Sequence, residues 1–349
     1  MIKKSLIFLL FFFINTFSFA EEFKTLQSGK IKFDTFYTFD YSRIKSGEYK
    51  NSLIEGKGNL FLPKNLDEKK KIPLILILHT SGGVKSNRET YYAKFLRDQG
   101  YAAYIIDTYG ARKCNASGSG WKNCLSKILM LDFVTDAYMA LNKLSKHPNI
   151  DSKKTVLLGF SYGADAAMWS LDKELKDIFS PDQEPFKSVI SVYGACNNIL
   201  NINETIGSNF YYIVGSRDIS YNKTNCAKRY QELKNAGSAS KEYVIKNAVH
   251  GFDANFEVQT IPNSEIPDFF SNCKFEYFKD GSVIEQTTKK KINLNSSDKL
   301  KDKFKAVKKY TFSEIKECYG NKSLLMGYQS FAVEETKKIF LEILRNETN

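Results

Sequence analysis

Gly159-Phe160-Ser161-Tyr162-Gly163 is the stretch of this chain best equipped for chemistry. The apolar run Thr155-Val156-Leu157-Leu158 precedes it, and Ala164-Asp165-Ala166-Ala167-Met168-Trp169, which reads as a helix, follows. A G-x-S-x-G between a buried strand and a helix is a nucleophile elbow: the turn forces strained backbone angles on the serine, and the glycines leave room for strand and helix to meet. The serine hydroxyl then stands exposed at the carboxyl end of the strand. The bare pattern arises by chance in roughly one chain of this length in ten, so the strand before it and the helix after it bear the inference.

A serine hydroxyl is a weak nucleophile until a base takes its proton and a third group holds that base. The chain offers three histidines, His79, His147 and His250. His147, in Lys146-His147-Pro148, precedes the strand that ends at Ser161. At about 3.3 Å per residue it lies roughly 20 Å away, at the opposite end of the sheet, and reads as an ordinary loop residue. His79 ends the first core strand ahead of Ser81-Gly82-Gly83 and suits a loop-shaping role. His250, in Val249-His250-Gly251-Phe252, follows the last core strand on the same side as Ser161. Elimination and position both select it as base. The order Ser…Asp/Glu…His requires a carboxylate between the two. Asp218, in Gly215-Ser216-Arg217-Asp218 after a strand at 210–214, reaches the correct edge; a turn aspartate capping the next segment would look the same. Charge developing on an attacked carbonyl needs preorganised N–H donors. Tyr162, directly after the serine, supplies one, and the loop after the first core strand supplies the other, from Ser81 or else Gly82.

The elements that position these groups follow from periodicity. Residues 31–39 alternate polar and apolar, as in a strand with one buried face, and 59–62 form a second strand. Continuous apolar strands then alternate with helices, the pattern of a parallel sheet covered on both faces. The strands fall at 73–78, 101–106, 155–160, 188–193, 210–214 and 242–245. Helices fall near 90–99, 125–146, 164–176, 226–235 and 331–344. The fold class is α/β, an α/β-hydrolase fold: residues 21–66 add strands to the sheet, and 67–349 form the main domain. One segment, about 257–325, interrupts the alternation. Asp280-Gly281 within it signals a two-residue hairpin, and Cys273 and Cys318 bracket it, so it reads as an inserted subdomain closed by a disulfide.

Lys3 and Lys4, the apolar run Leu6 to Ile14 and the small residues of Ser18-Phe19-Ala20 have the form of a cleaved signal peptide over 1–20. Nine apolar residues fall short of the roughly 20 that span a bilayer, so the mature chain is expected to be exported, periplasmic or secreted. All six cysteines (Cys114, Cys124, Cys196, Cys226, Cys273 and Cys318) lie in the exported part, which favours disulfides. With no C-x-x-C and three histidines, no metal site or cofactor is expected. The formal charge of +12 becomes +10 without the leader lysines, and eleven lysines against five acids lie between Lys274 and Lys309. No aromatic-interleaved nucleic-acid motif accompanies them, so they read as a solvated surface.

With these pieces placed, the chain resembles the dienelactone hydrolase-like family of α/β-hydrolases. The shared features are His79-Thr80-Ser81-Gly82-Gly83, Ile106-Asp107-Thr108-Tyr109-Gly110-Ala111-Arg112, the serine elbow, the Gly-x-x-Asp turn, His250-Gly251-Phe252 and the closing Gly327-Tyr328-Gln329. The resemblance implies that Asp107 and Arg112 order a loop near the pocket, either contacting a substrate carboxylate or forming a structural ion pair. Founding members have cysteine where this chain has Ser161, Thr80 stands where glycine is usual, and 257–325 has no counterpart. Exported members are similar in having cysteines where Cys196 and Cys226 stand, and both positions lie at the carboxyl edge of neighbouring strands, within reach of a bridge. Cys114–Cys124 and Cys273–Cys318 are the remaining sequence-adjacent pairs. The expected activity is hydrolysis of small carboxylic esters or lactones through an acyl-enzyme. A peptidase or acyltransferase on the same residues, or a homologue that binds without turnover, are the rivals.

Overall fold

A computed structural model describes residues 23, 26–261, 273–297, 299–319 and 323–348. The expected leader lies outside the described residues. Nine strands precede residue 246: β1 (Gly29–Phe36), β2 (Leu53–Phe61), β3 (Ile72–Leu78), β4 (Ala102–Ile106), β5 (Ile150–Phe160), β6 (Ser188–Val192), β7 (Asn198–Leu200), β8 (Asn209–Gly215) and β9 (Ser240–Ile245). All but β7 form one sheet in the order β1-β2-β4-β3-β5-β6-β8-β9. The β1-β2 and β2-β4 pairs are antiparallel, and every pair from β4 to β9 is parallel.

The apolar runs are continuous because both faces of the sheet are covered. In β3, Leu74, Leu76 and Leu78 pack on one side with Phe133 and Leu141 of the helix Met130–Leu144. Ile75 and Ile77 pack on the other with Tyr92 and Leu96 of the helix Glu89–Asp98 and Phe340 of the helix Ser330–Thr348.

Two expected helices are each broken by a cap. The pattern over 125–146 resolves into Gly120–Leu125 and Met130–Leu144, since Leu129 is extended and the Asp132 carboxylate accepts its N–H at 2.9 Å. The pattern over 164–176 resolves into Tyr162–Trp169 and Lys173–Phe179, since Asp172 accepts the Glu174 N–H at 3.1 Å and starts a new helix.

Beyond β9 come β10 (Gln259–Ile261), β11 (Phe275–Tyr277), β12 (Ser282–Glu285), β13 (Lys291–Asn293) and β14 (Leu324–Met326). β10 pairs with β14, while β11, β12 and β13 form an antiparallel meander that β7 extends in parallel with β11. The hairpin at Asp280-Gly281 has a three-residue turn, not the expected two. Phe278 N–H donates to Ser282 carbonyl at 2.9 Å and Gly281 N–H to Phe278 carbonyl at 3.0 Å. The Asp280 carboxylate, which accepts the N–H and hydroxyl of Ser282, holds this wider turn. Cys273 is bonded to Cys318, and a small core of Val283, Leu294 and Ile315 closes over Phe39. A buried ion pair, Lys303 to Asp40 at 2.9 Å, ties this region to the chain after β1.

Candidate active site

Ser161 follows β5 at φ +49°, a left-handed backbone that a serine adopts only when its surroundings hold it there. A Cβ at Gly159 would collide with the Gly163 carbonyl, and one at Gly163 with the carbonyl of His79. Both glycines therefore permit the close crossing of β5, the following helix and the end of β3. Ser161 Oγ lies 3.2 Å from His250 Nε2, and His250 Nδ1 lies 2.7 Å from Asp218 Oδ2. All three side chains are buried. The sequence did not single out Ser220, whose N–H (2.9 Å) and hydroxyl (2.7 Å) both donate to the other oxygen of Asp218. Its signal was the Asp-x-Ser turn, in which an Asp side chain bonds the backbone two residues on.

Three further elements hold His250. Its N–H donates to the Leu325 carbonyl at 3.1 Å, and it forms a parallel bridge with Met326. Gln329 accepts the Val249 N–H at 2.8 Å and donates to the Asn247 carbonyl at 3.2 Å. Tyr193, at φ +43°, packs edge to face on the imidazole, with ring centres 5.1 Å apart. The Tyr193 hydroxyl donates to Asp253, which pairs with Arg88 at 3.3 Å. Burial pushes Asp253 above the ordinary carboxylate range, while Arg88 and the tyrosine hydroxyl pull it back. This Arg88–Asp253–Tyr193 group links the start of one helix, the end of β6 and the histidine loop. No local pattern announces it.

A cavity of about 500 Å³ opens on Ser161 and His250. Ser81 and Gly82 form part of its wall. The Gly82 N–H is given to Thr80 Oγ1 at 3.1 Å. Cys114 is bonded to Cys124, and the loop they close contributes Trp121 and Lys122 to the lining. Lys85 and Arg88 also line the cavity, and none of its described lining residues is acidic.

His79 stands behind the Ser81 loop. Its Nδ1 donates to the Thr80 carbonyl at 2.7 Å, and Nε2 accepts the Tyr109 N–H at 3.4 Å. Burial lowers its pKa to about 4, so the neutral ring is a fixed strut. His147 is buried beyond the amino end of β5, its Nδ1 accepting the Asn149 N–H. Asp107 and Arg112 do not line the cavity and do not pair with each other. Asp107 caps its own turn by accepting the Gly110 N–H at 2.9 Å. The Arg112 guanidinium grips Asp136 through two bonds of 2.7 and 3.0 Å, donates to the Phe36 carbonyl at 2.6 Å and lies 3.5 Å from Asp132. The guanidinium is buried and does not line the cavity, so it is not placed to meet a substrate carboxylate there.

Cys196 is bonded to Cys226, with Cα atoms 4.9 Å apart. Among the described residues, one group has metal-ligand spacing: Cys273, Glu285 and Cys318. Its two sulfurs are bonded to each other, and Glu285 accepts the N–H groups of Lys274 and Thr287.

The model of the dienelactone hydrolase family matches residues 57–264. The chain belongs to that family. This makes it a hydrolase by descent and accounts for the sheet order and the elbow. Among solved structures it is similar to a dienelactone hydrolase-like promiscuous phosphotriesterase from metagenomic libraries, at 16% identity and TM-score 0.45, over 64% of this chain and 84% of that one. It is likewise similar to a dienelactone hydrolase of Klebsiella pneumoniae, at 16% identity and TM-score 0.46, over 64% and 88%. A curated relative, venom dipeptidyl peptidase 4 of Vespa velutina, is 31% identical over 133 residues. That alignment spans 36% of this chain and 16% of the wasp protein.

Proposed function

We propose that this dienelactone hydrolase-family member is an exported serine hydrolase of small carboxylic esters or lactones. Ser161 attacks the carbonyl carbon while His250 takes its proton, and Asp218 holds the imidazole with Nε2 toward the serine. The tetrahedral intermediate places its oxyanion against the N–H groups of Tyr162 and Ser81. Its collapse, with the His250 proton passing to the leaving alcohol, gives an acyl-enzyme that water then hydrolyses by the same relay. One observation carries this reading: the unbroken line from Ser161 Oγ through His250 to Asp218, at 3.2 and 2.7 Å, on the wall of a cavity.

Lys85 and Lys122, among lining residues that include no described acid, are the groups placed to meet a substrate carboxylate. In this reading they favour an ester whose acyl or alcohol part is anionic. Three disulfides and the leader-like N-terminus support export, and no helix among the described residues is long and apolar enough to cross a membrane.

The local identity to a dipeptidyl peptidase favours one rival, cleavage of a peptide bond on the same residues. A fluorophosphonate probe tests the nucleophile: covalent labelling at Ser161 is expected, and labelling elsewhere or none contradicts the proposal. Turnover of p-nitrophenyl esters, compared with dipeptidyl p-nitroanilides, then separates esterase from peptidase.

A further inference from the structure

A second cavity, of about 120 Å³, lies between the helix Tyr162–Trp169 and the meander of β11, β12 and β13. No residue lines both cavities. Its lining is largely aromatic and aliphatic, with Tyr162 and Trp169 from the helix, Leu129, and Phe275, Tyr277 and Val283 from the strands; the Trp169 and Tyr277 rings meet edge to face, 4.6 Å between centres. Several polar groups of this lining have partners in the protein. Tyr162 hydroxyl donates to the Ile128 carbonyl, Tyr310 hydroxyl to the Lys290 carbonyl, and Asp165 accepts the Ala195 N–H. Asp40 is held by Lys303. The Trp169 indole N–H differs: it is buried and has no hydrogen-bond partner among the described residues.

Its lining is more apolar than polar, so an apolar occupant gains more there than water does. A buried water needs two to four polar partners, whereas an engineered apolar cavity of about 150 Å³ stays dry and takes up benzene. The several aromatic rings in its lining favour a flat occupant, which would meet their edges and faces at van der Waals distance. We infer that this cavity is a binding site for a small uncharged aromatic molecule, one ring in size, distinct from the site at Ser161. Its occupant bridges the elbow helix and the disulfide-closed β11–β13 region. Because it binds the folded chain alone, it raises the unfolding temperature by mass action. The inference is independent of the chemistry at Ser161.

Fluorobenzene is the probe, titrated into the full chain and followed by ¹⁹F NMR, against two variants. Val283→Phe fills the inferred cavity and Ala116→Phe fills the cavity at Ser161. Saturable binding that weakens at least tenfold in Val283→Phe and is unchanged in Ala116→Phe is the expected result. The reverse pattern, or no saturable binding to wild type, overturns the inference. Should Val283→Phe fail to fold, diffraction from wild-type crystals under xenon pressure decides. A xenon peak between Trp169 and Phe275 supports the site, and its absence there overturns it.

Discussion

The backbone N–H of His250 donates to the carbonyl of Leu325, 3.1 Å away and on the far side of the β10–β14 excursion. The chain leaves the sheet after the histidine loop, builds the β11–β13 meander and returns through β14 to brace the loop it left. Gln329, three residues past Met326, completes the brace through Val249 and Asn247. In the proposed mechanism these contacts hold the imidazole and do not touch substrate. Gln329→Ala should therefore lower kcat several-fold, leave KM within about twofold and lower stability by about 1 kcal/mol, the worth of an ordinary hydrogen bond. Steady-state kinetics beside a urea titration would check it, and an effect confined to KM would contradict a positioning role.

Ser161→Ala should lower kcat by about 10⁴–10⁶ and keep the melting temperature near wild type, since the hydroxyl makes no bond that holds the fold together. His250→Gln should do the same, whereas His147→Gln, beyond the other end of β5, should leave activity within about twofold. Equal losses from His147 and His250 would mean that His250 is not the base.

The parts of this arrangement differ in how far the sequence announces them. The elbow was legible because Gly-x-Ser-x-Gly between an apolar strand and a helix has one steric solution. The pairing of Ser161 with His250 was legible because the other two histidines lie at a strand's wrong end or behind the Ser81 loop. Arg112 was left between a substrate contact and a structural ion pair, and the partner it pairs with, Asp136, was not legible because it lies 24 residues on, inside the helix Met130–Leu144. Strand β7 passed unseen: at three residues it has no period of its own and exists only because β11 pairs with it. Tyr193, Asp253 and Arg88 meet across three separate elements, so their coupling is a property of the packed chain alone.

The Cys196–Cys226 bridge spans 30 residues that include Asp218 and Ser220. In the chain-entropy model a loop of that length is worth about 3–4 kcal/mol. The functional loss should exceed what that figure implies at temperatures where the fold survives, because the bridge restrains the segment holding Asp218 against His250. Cys196→Ser with Cys226→Ser should lower kcat more than it raises KM. Non-reducing peptide mapping checks the pairing, and an unchanged kcat in the folded double variant would end the bracing argument.

Lys122 lines the cavity at Ser161, its ammonium 5.4 Å from the centre of the Trp121 ring. If the substrate's anionic group lies there, Lys122→Gln should raise KM for a carboxylate-bearing ester by roughly twofold to fivefold, the range of a partly solvated ion pair. The neutral ester of equal length should be unaffected, and salt should erode the wild-type preference. An equal change for both esters would point to loop packing and not to charge.

His79 gives the fold a pH dependence whose sign is fixed by its burial. Its pKa is about 4 in the folded chain and about 6.5 in an unfolded one. Between those values the unfolded chain binds a proton that the folded chain refuses, so this contribution to stability is complete above about pH 6.5 and declines as pH falls toward 4. The full decline is about 3 kcal/mol. Asp132, raised by burial to about 6, acts oppositely. There the folded chain is the better proton acceptor, and stability falls as pH rises through the same window. The two contributions offset one another in the wild type, so a single melting curve against pH hides both. His79→Gln separates them, because the amide can still donate to Thr80 and accept from Tyr109 but does not titrate. Urea unfolding at pH 4, 5, 6 and 7 should show the advantage of wild type over His79→Gln shrinking by about 3 kcal/mol from pH 7 to pH 4. An advantage that stays constant would mean that His79 takes up its proton as readily in the folded chain as in the unfolded one, and the strut behind Ser81 would then be charged in mild acid.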